Sequence, residues 1–248
     1  MATLYGVGVG PGDPLLLTLR ACQLIANSEV VSYLSNEQGE SQAKHIAREA
    51  FAQVTRTQQH IVIPMPMSTD RTLANAAYDE GATTILTALD SGLDVVFLCE
   101  GDPLFFGSFS YLLARLEGVR HDISVVPGVS SVHAAAAALQ IPLTLQSESF
   151  AVISGRHSDQ QIKTALVEHD ALVIMKAGLA RPRILALLAQ TQRTDDASYL
   201  EYISRDNQMI NKDVAQLENI KGPYFSLFVI TPKRKATTVV ENACLENK

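Results

Sequence analysis

The chain has no run of roughly 18 uncharged apolar residues, the length a membrane-spanning helix needs. Its N-terminus, MATLYGVG, also lacks a basic segment leading into a long apolar one. A soluble protein is expected. Cysteine is scarce: Cys22, Cys99 and Cys244 are odd in number and widely spaced, which argues against a disulfide framework and suits a reducing cytoplasm. No Cys-x-x-Cys pair occurs, and the histidines His45, His60, His121, His133, His157 and His169 form no His-Glu-x-x-His. No protein-bound metal is expected. Basic residues do not cluster beyond the short Pro-Lys-Arg-Lys at 232–235, and the net charge is −6, so a surface that tracks nucleic-acid phosphates is not expected. The expected partner is a small molecule.

A phosphate loop is the remaining absence. LYGVGVGPGDPLLLTLRACQLIA, residues 4–26, runs an apolar strand through alternating glycines into a helix. Started at Gly6, Gly8 or Gly10, the third glycine of G-x-G-x-x-G would fall on Pro11, Asp13 or Leu15, so no register gives the dinucleotide fingerprint. Pro11 has no amide hydrogen to offer a pyrophosphate, and an aspartate at the helix entrance repels one. No Gly-Lys-Ser/Thr follows, which removes the Walker loop as well. A neutral or cationic ligand is better tolerated here.

What is present is an α/β pattern. With 47% hydrophobic residues in 248, the chain can build one large domain or two smaller ones. Short apolar runs, TLYGVGV, EVVSYL, DVVFLCE, DISVVPG, FAVISG, ALVIMK and PYFSLFVI, mostly alternate with helix-period segments, predicting largely parallel strands. Leu17, Ala21, Leu24 and Ile25 fall on one helix face. Leu73, Ala77, Thr84 and Ala88 do so less strongly, with Gly92 as a left-handed cap. GVSSVHAAAAALQIP, residues 128–142, predicts an alanine-rich helix packed on both sides, with His133 satisfied in the interior. It would link an N-terminal α/β domain, 1–122, that carries the glycine-rich loops to a second α/β domain, 123–248, with the boundary between about Gly118 and Leu143. The polar tail 233–248 reads as a surface extension or frayed end.

Asp13-Pro14 by itself is an ordinary helix start. The same chemistry recurs, however: Gly12-Asp13-Pro14-Leu15 follows the first strand and Gly101-Asp102-Pro103-Leu104 follows DVVFLC. In open α/β sheets ligands gather beyond the carboxyl ends of the strands, where both loops would lie. In the second loop, CEGDPLFFGSF, Gly101 would let a ligand approach the backbone while Glu100 or Asp102 supplies negative potential. A third loop, VVPGVSSVH, places Ser130 and Ser131 at the helix entrance. Capping explains the serines, and core packing explains Phe106, equally well taken singly. Together the three loops suit a cationic, moderately polar ligand with an apolar ring.

These three segments, GVGVGPGDP, EGDPLFFGS and PGVSSVHAAAAALQIPL, resemble in order and spacing the tetrapyrrole methylases of the cobalamin pathway. ALVIMKAG and PYFSLFVI are similar to later strands of that family, so the resemblance runs to about Thr231. It implies two α/β domains with S-adenosylmethionine folded into the cleft between them, a cytoplasmic homodimer, and C-methylation of a reduced tetrapyrrole. It implies donor contacts at Pro11, Glu100, Gly101, Asp102 and Phe105, and at Ser130 and Ser131. Met175 would line the adenine pocket, and Tyr202 and Ile203 fall near a further donor contact at which the family usually carries Gly-Thr. Asp102 is also the candidate acceptor for the proton released after methyl attack. Arg156, Lys176, Arg181 and Arg183 are candidates for meeting the acceptor's carboxylates. Competing readings are another methylase of this fold (a diphthine synthase-like enzyme or an RNA methylase included), a dinucleotide-dependent oxidoreductase, and a non-catalytic nucleotide-binding module.

Overall fold

A computed structural model describes residues 2–66 and 71–233. The expected tail 233–248 lies, beyond Lys233, outside the described residues, as do the end of the Pro-Lys-Arg-Lys segment and Cys244. The chain divides into two compact units, 1–134 and 135–248.

In the first unit the order is β1 (Thr3–Gly8), α1 (Leu19–Asn27), β2 (Val30–Ser35), α2 (Gln42–Ile46), α3 (Arg48–Phe51), β3 (Gln59–Pro64), α4 (Arg71–Asp90), β4 (Val95–Cys99), α5 (Phe109–Arg115) and β5 (Asp122–Val126). The five strands form a parallel sheet in the order β3-β2-β4-β1-β5. The division between units falls inside α6 (Ser131–Leu139), further along than residue 122, because β5 hydrogen-bonds β1 and completes this sheet.

Both faces of the sheet are covered, and the period-two alternation of strand side chains sorts the core into two layers. Val95, Phe97 and Cys99 pack with Tyr78, Ile85, Phe109 and Leu112 on the α4 and α5 side. Val96 and Leu98 pack with Ala21, Ile25, Ala43 and Ile46 on the other. Helix α1 starts where the Thr18 hydroxyl accepts the Ala21 N–H, and it buries Ala21 and Ile25 as the periodicity predicts. The face expected for α4 differs. Leu73 and Thr84 are exposed, and the buried stripe is Tyr78, Gly81, Ala82, Ile85, Ala88 and Leu89. Gly81 lies against the Ile63 side chain, so the helix approaches β3 more closely than a larger residue would allow. The cap at Gly92 is present: φ is +82 to +85 at three of the left-handed glycines, with Gly92 at +85. Its N–H donates to Leu89 O and Leu93 N–H to Ala88 O, the paired bonds of a Schellman end.

The second unit continues with β6 (Phe150–Ser154), α7 (Asp159–Glu168), β7 (Ala171–Met175), α8 (Arg181–Gln190), β8 (Ala197–Glu201), β9 (Met209–Asn211) and β10 (Ser226–Ile230). Its sheet, β6-β7-β10-β8-β9, is mixed and not largely parallel: of its pairings only β6 with β7 is parallel, while β10 lies antiparallel between β7 and β8, and β9 is antiparallel to β8. The final strand enters between two parallel neighbours from the opposite end, so it needs no helical crossover. Ile162, Leu166, Ile184 and Leu188 of α7 and α8 pack on Leu172, Ile174, Phe228 and Ile230. Arg193 closes the far end of this layer, its guanidinium donating to the carbonyls of Leu166, His169 and Asp170 and pairing with Asp196.

Candidate functional site

Strand order explains why the three loops meet. The chain leaves β1 in one direction, past β4 to β2, and leaves β4 in the other, past β1 to β5. The carboxyl ends of β1 and β4 therefore flank a topological switch point, the place where open α/β sheets bind ligands. Because β1 also pairs with β5, the loops after all three strands emerge side by side.

Main chain joins them. Val9 N–H donates to Cys99 O, and Gly10 and Gly101 exchange both amide bonds, at 3.3 and 2.8 Å. A Cβ on Gly8 would lie 2.6 Å from both Gly101 O and Gly128 N, and one on Gly128 would press on Gly101 O. Glycine is required at 8 and 128 because backbone from three loops occupies the space where side chains would be. At Gly101, with φ +65, nothing stands within 4 Å of the missing Cβ, so the same contact leaves an open flank.

Asp102 holds this arrangement together. One carboxylate oxygen accepts from Leu104 N and Phe105 N at 2.9 and 3.0 Å, and the other accepts from Gly128 N, in the third loop, at 3.1 Å. Asp13 makes the matching turn in the first loop, accepting from Leu15 N at 2.8 Å. The repeated Gly-Asp-Pro-Leu is thus one local device used twice, an aspartate that caps its own loop. At Asp102 it reaches a second loop as well.

Glu100 is exposed and Pro11 is buried. Phe105 and Phe106 stand at 37% and 40% exposure, edge to face at 5.2 Å, so neither is a core residue; the buried ring is Phe109. Phe106 takes φ +55, a left-handed conformation that bulky residues rarely adopt. Ser130 is buried and stands at the entrance of α6, its carbonyl accepting the Ala134 N–H. Its hydroxyl is 2.8 Å from His133 Nδ1. His133 is exposed and not interior, as is Ala137, so α6 is not packed on all sides as its alanines suggest. Ser131 is half-buried.

Burial pushes the Cys99 thiol up to about 12; hydrogen bonds from Ser108 and Phe109 oppose this, and the charges of Glu100 and Asp102 add to it. The loop therefore carries negative potential, and Cys99 is chemically quiet. Iodoacetamide near pH 8, where an ordinary thiol reacts readily, is expected to leave Cys99 untouched in the folded protein and to alkylate it after denaturation. Peptide mass spectrometry reads the difference, and native-state labelling of Cys99 as fast as that of Cys22 would contradict it.

In the second unit, strand register brings Ser154, Met175, Leu227 and Leu200 to a common level. Half-buried Met175 ends β7, and its carbonyl accepts the Gly155 N–H. Tyr202 follows β8 with φ +50 and donates its N–H to Phe225 O; Ile203 is buried. The four cations proposed from sequence separate. Arg181 is buried, bonded to Ile220 O and Lys221 O and paired with Glu201 at 3.3 Å. Arg183 is held by Asp159 and by the carbonyls of Gly155 and His157. Arg181 thus serves the fold from a buried position, whereas the Arg183 side chain stays 34% exposed. Arg156 is exposed, and Lys176 is half-exposed beside Tyr224.

Among the described residues no group of three or more His, Cys, Asp or Glu could hold a metal, and no helix is long and apolar enough to cross a membrane.

The pattern of the Tetrapyrrole (Corrin/Porphyrin) Methylases matches residues 3–218, and the chain belongs to that family. It is 34% identical over 239 residues to the cobalamin biosynthesis protein CobIJ of Mycobacterium bovis, covering 94% of this chain and 46% of that protein. The chain thus spans about half the length of that relative. It is 30% identical over 233 residues to the precorrin-2 C(20)-methyltransferase of Sinorhizobium sp, covering 92% of this chain and 94% of that one. In fold it is similar to a uroporphyrin-III C-methyl transferase of Thermus thermophilus, solved with S-adenyl homocysteine, at TM-score 0.68 and 22% identity over 93% of this chain and 97% of that one.

Proposed function

We propose that the protein is an S-adenosylmethionine-dependent C-methyltransferase acting on a reduced tetrapyrrole, and that it methylates C20 of precorrin-2 or of its cobalt counterpart. Family membership and the equal-length Sinorhizobium relative support the chemistry and the substrate. The observation that carries the reading is the main-chain junction of Gly8, Gly10, Gly101 and Gly128 at the switch point, with an open flank at Gly101 and carboxylates around it. Such a site fits a cation. It offers no lysine-bearing phosphate loop, and Pro11 has no N–H to give.

When bound, the donor supplies a methyl group on a positively charged sulfur. The residues assigned to hold it are Pro11, Glu100, Gly101, Asp102, Phe105, Ser130 and Ser131, at the loops of the first unit. Glu100 supplies negative potential, and Gly101 admits the ligand to the backbone. Ser130, its hydroxyl oriented by His133, offers its remaining hydrogen-bonding capacity. Both Asp102 oxygens are engaged by main-chain N–H groups, so we assign Asp102 a positioning role and not the proton-accepting role its sequence suggests. Holding two reactants close and aligned can contribute about 7–11 kcal/mol, which makes a strong general base unnecessary. The protein is read as a cytoplasmic homodimer.

Calorimetric titration is expected to show S-adenosylhomocysteine binding and no NADH binding; the reverse would favour an oxidoreductase. Anaerobic incubation with methyl-labelled S-adenosylmethionine and precorrin-2, or its cobalt form, is then expected to place the label at C20 by NMR. Label at another ring carbon would keep the class and change the position.

A further inference from the structure

Ser130 and His133 form a pair that helix capping does not explain. Ser130 stands just before α6 at the switch point, two residues after Gly128, whose N–H is held by Asp102. A serine in that position ordinarily turns its hydroxyl back onto an amide of the first turn. Here the hydroxyl meets His133 Nδ1 at 2.8 Å, and among the described residues that ring is its partner. Ser130 is buried and His133 is exposed, so the ring exchanges protons with solvent while the hydroxyl it holds does not. The pair therefore connects bulk pH to a buried polar group at the candidate site.

We propose that His133 is a positioning residue that sets the polarity of the Ser130 hydroxyl, so that Ser130 receives the ammonium group at the amino-acid end of the methyl donor while the ring is neutral and loses it when the ring is protonated. The inference rests on the methyltransferase reading above and names the part of the donor that the third loop recognises. A hydroxyl has one hydrogen and two lone pairs. With the imidazole neutral and Nδ1 bare, the Ser130 O–H donates to Nδ1 and the hydroxyl turns lone pairs only toward the site, which suits an N–H group. With the imidazole protonated, Nδ1–H donates to Ser130 Oγ and the hydroxyl hydrogen points outward. Protonation also places a positive charge beside a cationic ligand, so both effects weaken binding as the pH falls. Of the donor's N–H groups the ammonium is the charged one, and the charged side chains of the loops joined here are the carboxylates Asp13, Glu100 and Asp102. Helix α6, Ser-Val-His-Ala-Ala-Ala-Ala-Ala-Leu, adds no charged group other than His133.

The test is calorimetric titration of the full chain with S-adenosylhomocysteine at about pH 8 and about pH 5.5, in wild type, His133→Gln, His133→Phe and Ser130→Ala. Wild type is expected to bind about tenfold more weakly at the lower pH, the loss of one charge-assisted hydrogen bond. At the higher pH His133→Phe, which leaves the hydroxyl without its acceptor, should bind about fivefold more weakly than wild type, and Ser130→Ala about tenfold. Glutamine offers a neutral acceptor at both pH values, so His133→Gln should recover most of the phenylalanine loss and weaken by only about twofold on acidification, the share that protonation of the neighbouring carboxylates imposes on every variant. Methylthioadenosine, which lacks the amino-acid end, should bind all four proteins alike. A pH response as steep in His133→Gln and His133→Phe as in wild type, in proteins that bind S-adenosylhomocysteine, would overturn the role of the pair and leave the methyltransferase reading standing. Methylthioadenosine that follows the S-adenosylhomocysteine pattern would overturn the assignment of the ammonium group. Wild type that binds S-adenosylhomocysteine at neither pH would overturn the methyltransferase reading, and this inference with it.

Discussion

Replacing Asp102 with alanine is expected to weaken S-adenosylhomocysteine binding about 100-fold. Three main-chain N–H groups, of Leu104, Phe105 and Gly128, lose their acceptor at once, and hydrogen bonds to a charged group are worth about 1.5–3 kcal/mol each. Only part of that reaches the ligand: a hundredfold loss corresponds to about 2.7 kcal/mol, the cost of letting the second loop move away from the third. Asparagine separates the components. Its amide oxygen can still serve Leu104 and Phe105, but its NH2 would face the Gly128 N–H, donor against donor. Asp102→Asn should therefore keep the second loop's own turn, lose the tie to the third, and weaken binding about tenfold. If Asp102 acted instead as the proton acceptor, both variants would bind S-adenosylhomocysteine like wild type while kcat fell. Calorimetry alongside single-turnover methyl transfer distinguishes the two outcomes.

The largest stability effect is expected at Arg181→Ala. Its side chain and that of its partner Glu201 are 9% and 12% exposed, and the guanidinium also serves the carbonyls of Ile220 and Lys221 and stacks over Tyr199 at 5.3 Å. Removing it strands a carboxylate away from water, a loss of about 3–5 kcal/mol for a buried pair broken on one side. In a protein of this size that is a fall in Tm of roughly 10 °C. Removing both charges, in Arg181→Met with Glu201→Leu, should restore much of it, since an apolar replacement of both partners is often neutral. A single variant that melts with wild type would show that water reaches Glu201 after all.

How far sequence carried depended on how each element is buried. Strand β4 is legible because Val95–Cys99 is buried throughout and reads as an unbroken apolar run. Strand β3, Gln59–Pro64, lies at the sheet edge with only Ile61 and Ile63 buried, and its glutamine and histidine hide it. Strands β8 and β9 are short and lie toward the other sheet's edge, with Ser198, Glu201 and Asn211 interrupting the pattern. Helix α4 was visible but its buried face was not, since that face is built partly from glycine and alanine, which carry little apolar signal. Two helix ends also lacked the expected glycine: Gln140 and Gln192 take the left-handed position, at φ +57 each.

At the candidate site the paired Gly-Asp-Pro-Leu turns were readable because the same device appears twice. The third partner was not, since nothing in Pro127-Gly128-Val129 announces that its amide reaches Asp102. The cations show the limit most plainly. Arg156, Lys176, Arg181 and Arg183 look alike in a string of letters, and only the positions of Glu201, Asp159 and the neighbouring carbonyls show that Arg181 and Arg183 are tied to the second unit's own framework.

The rung between Gly10 and Gly101 is made wholly of peptide groups, so it is indifferent to whatever side chains the neighbouring positions carry. A chain can exchange Glu100, Phe105 or Phe106 for others and keep the same frame. Variation among proteins sharing this scaffold would then fall on the appended groups, while Gly8 and Gly128 stay fixed by want of room.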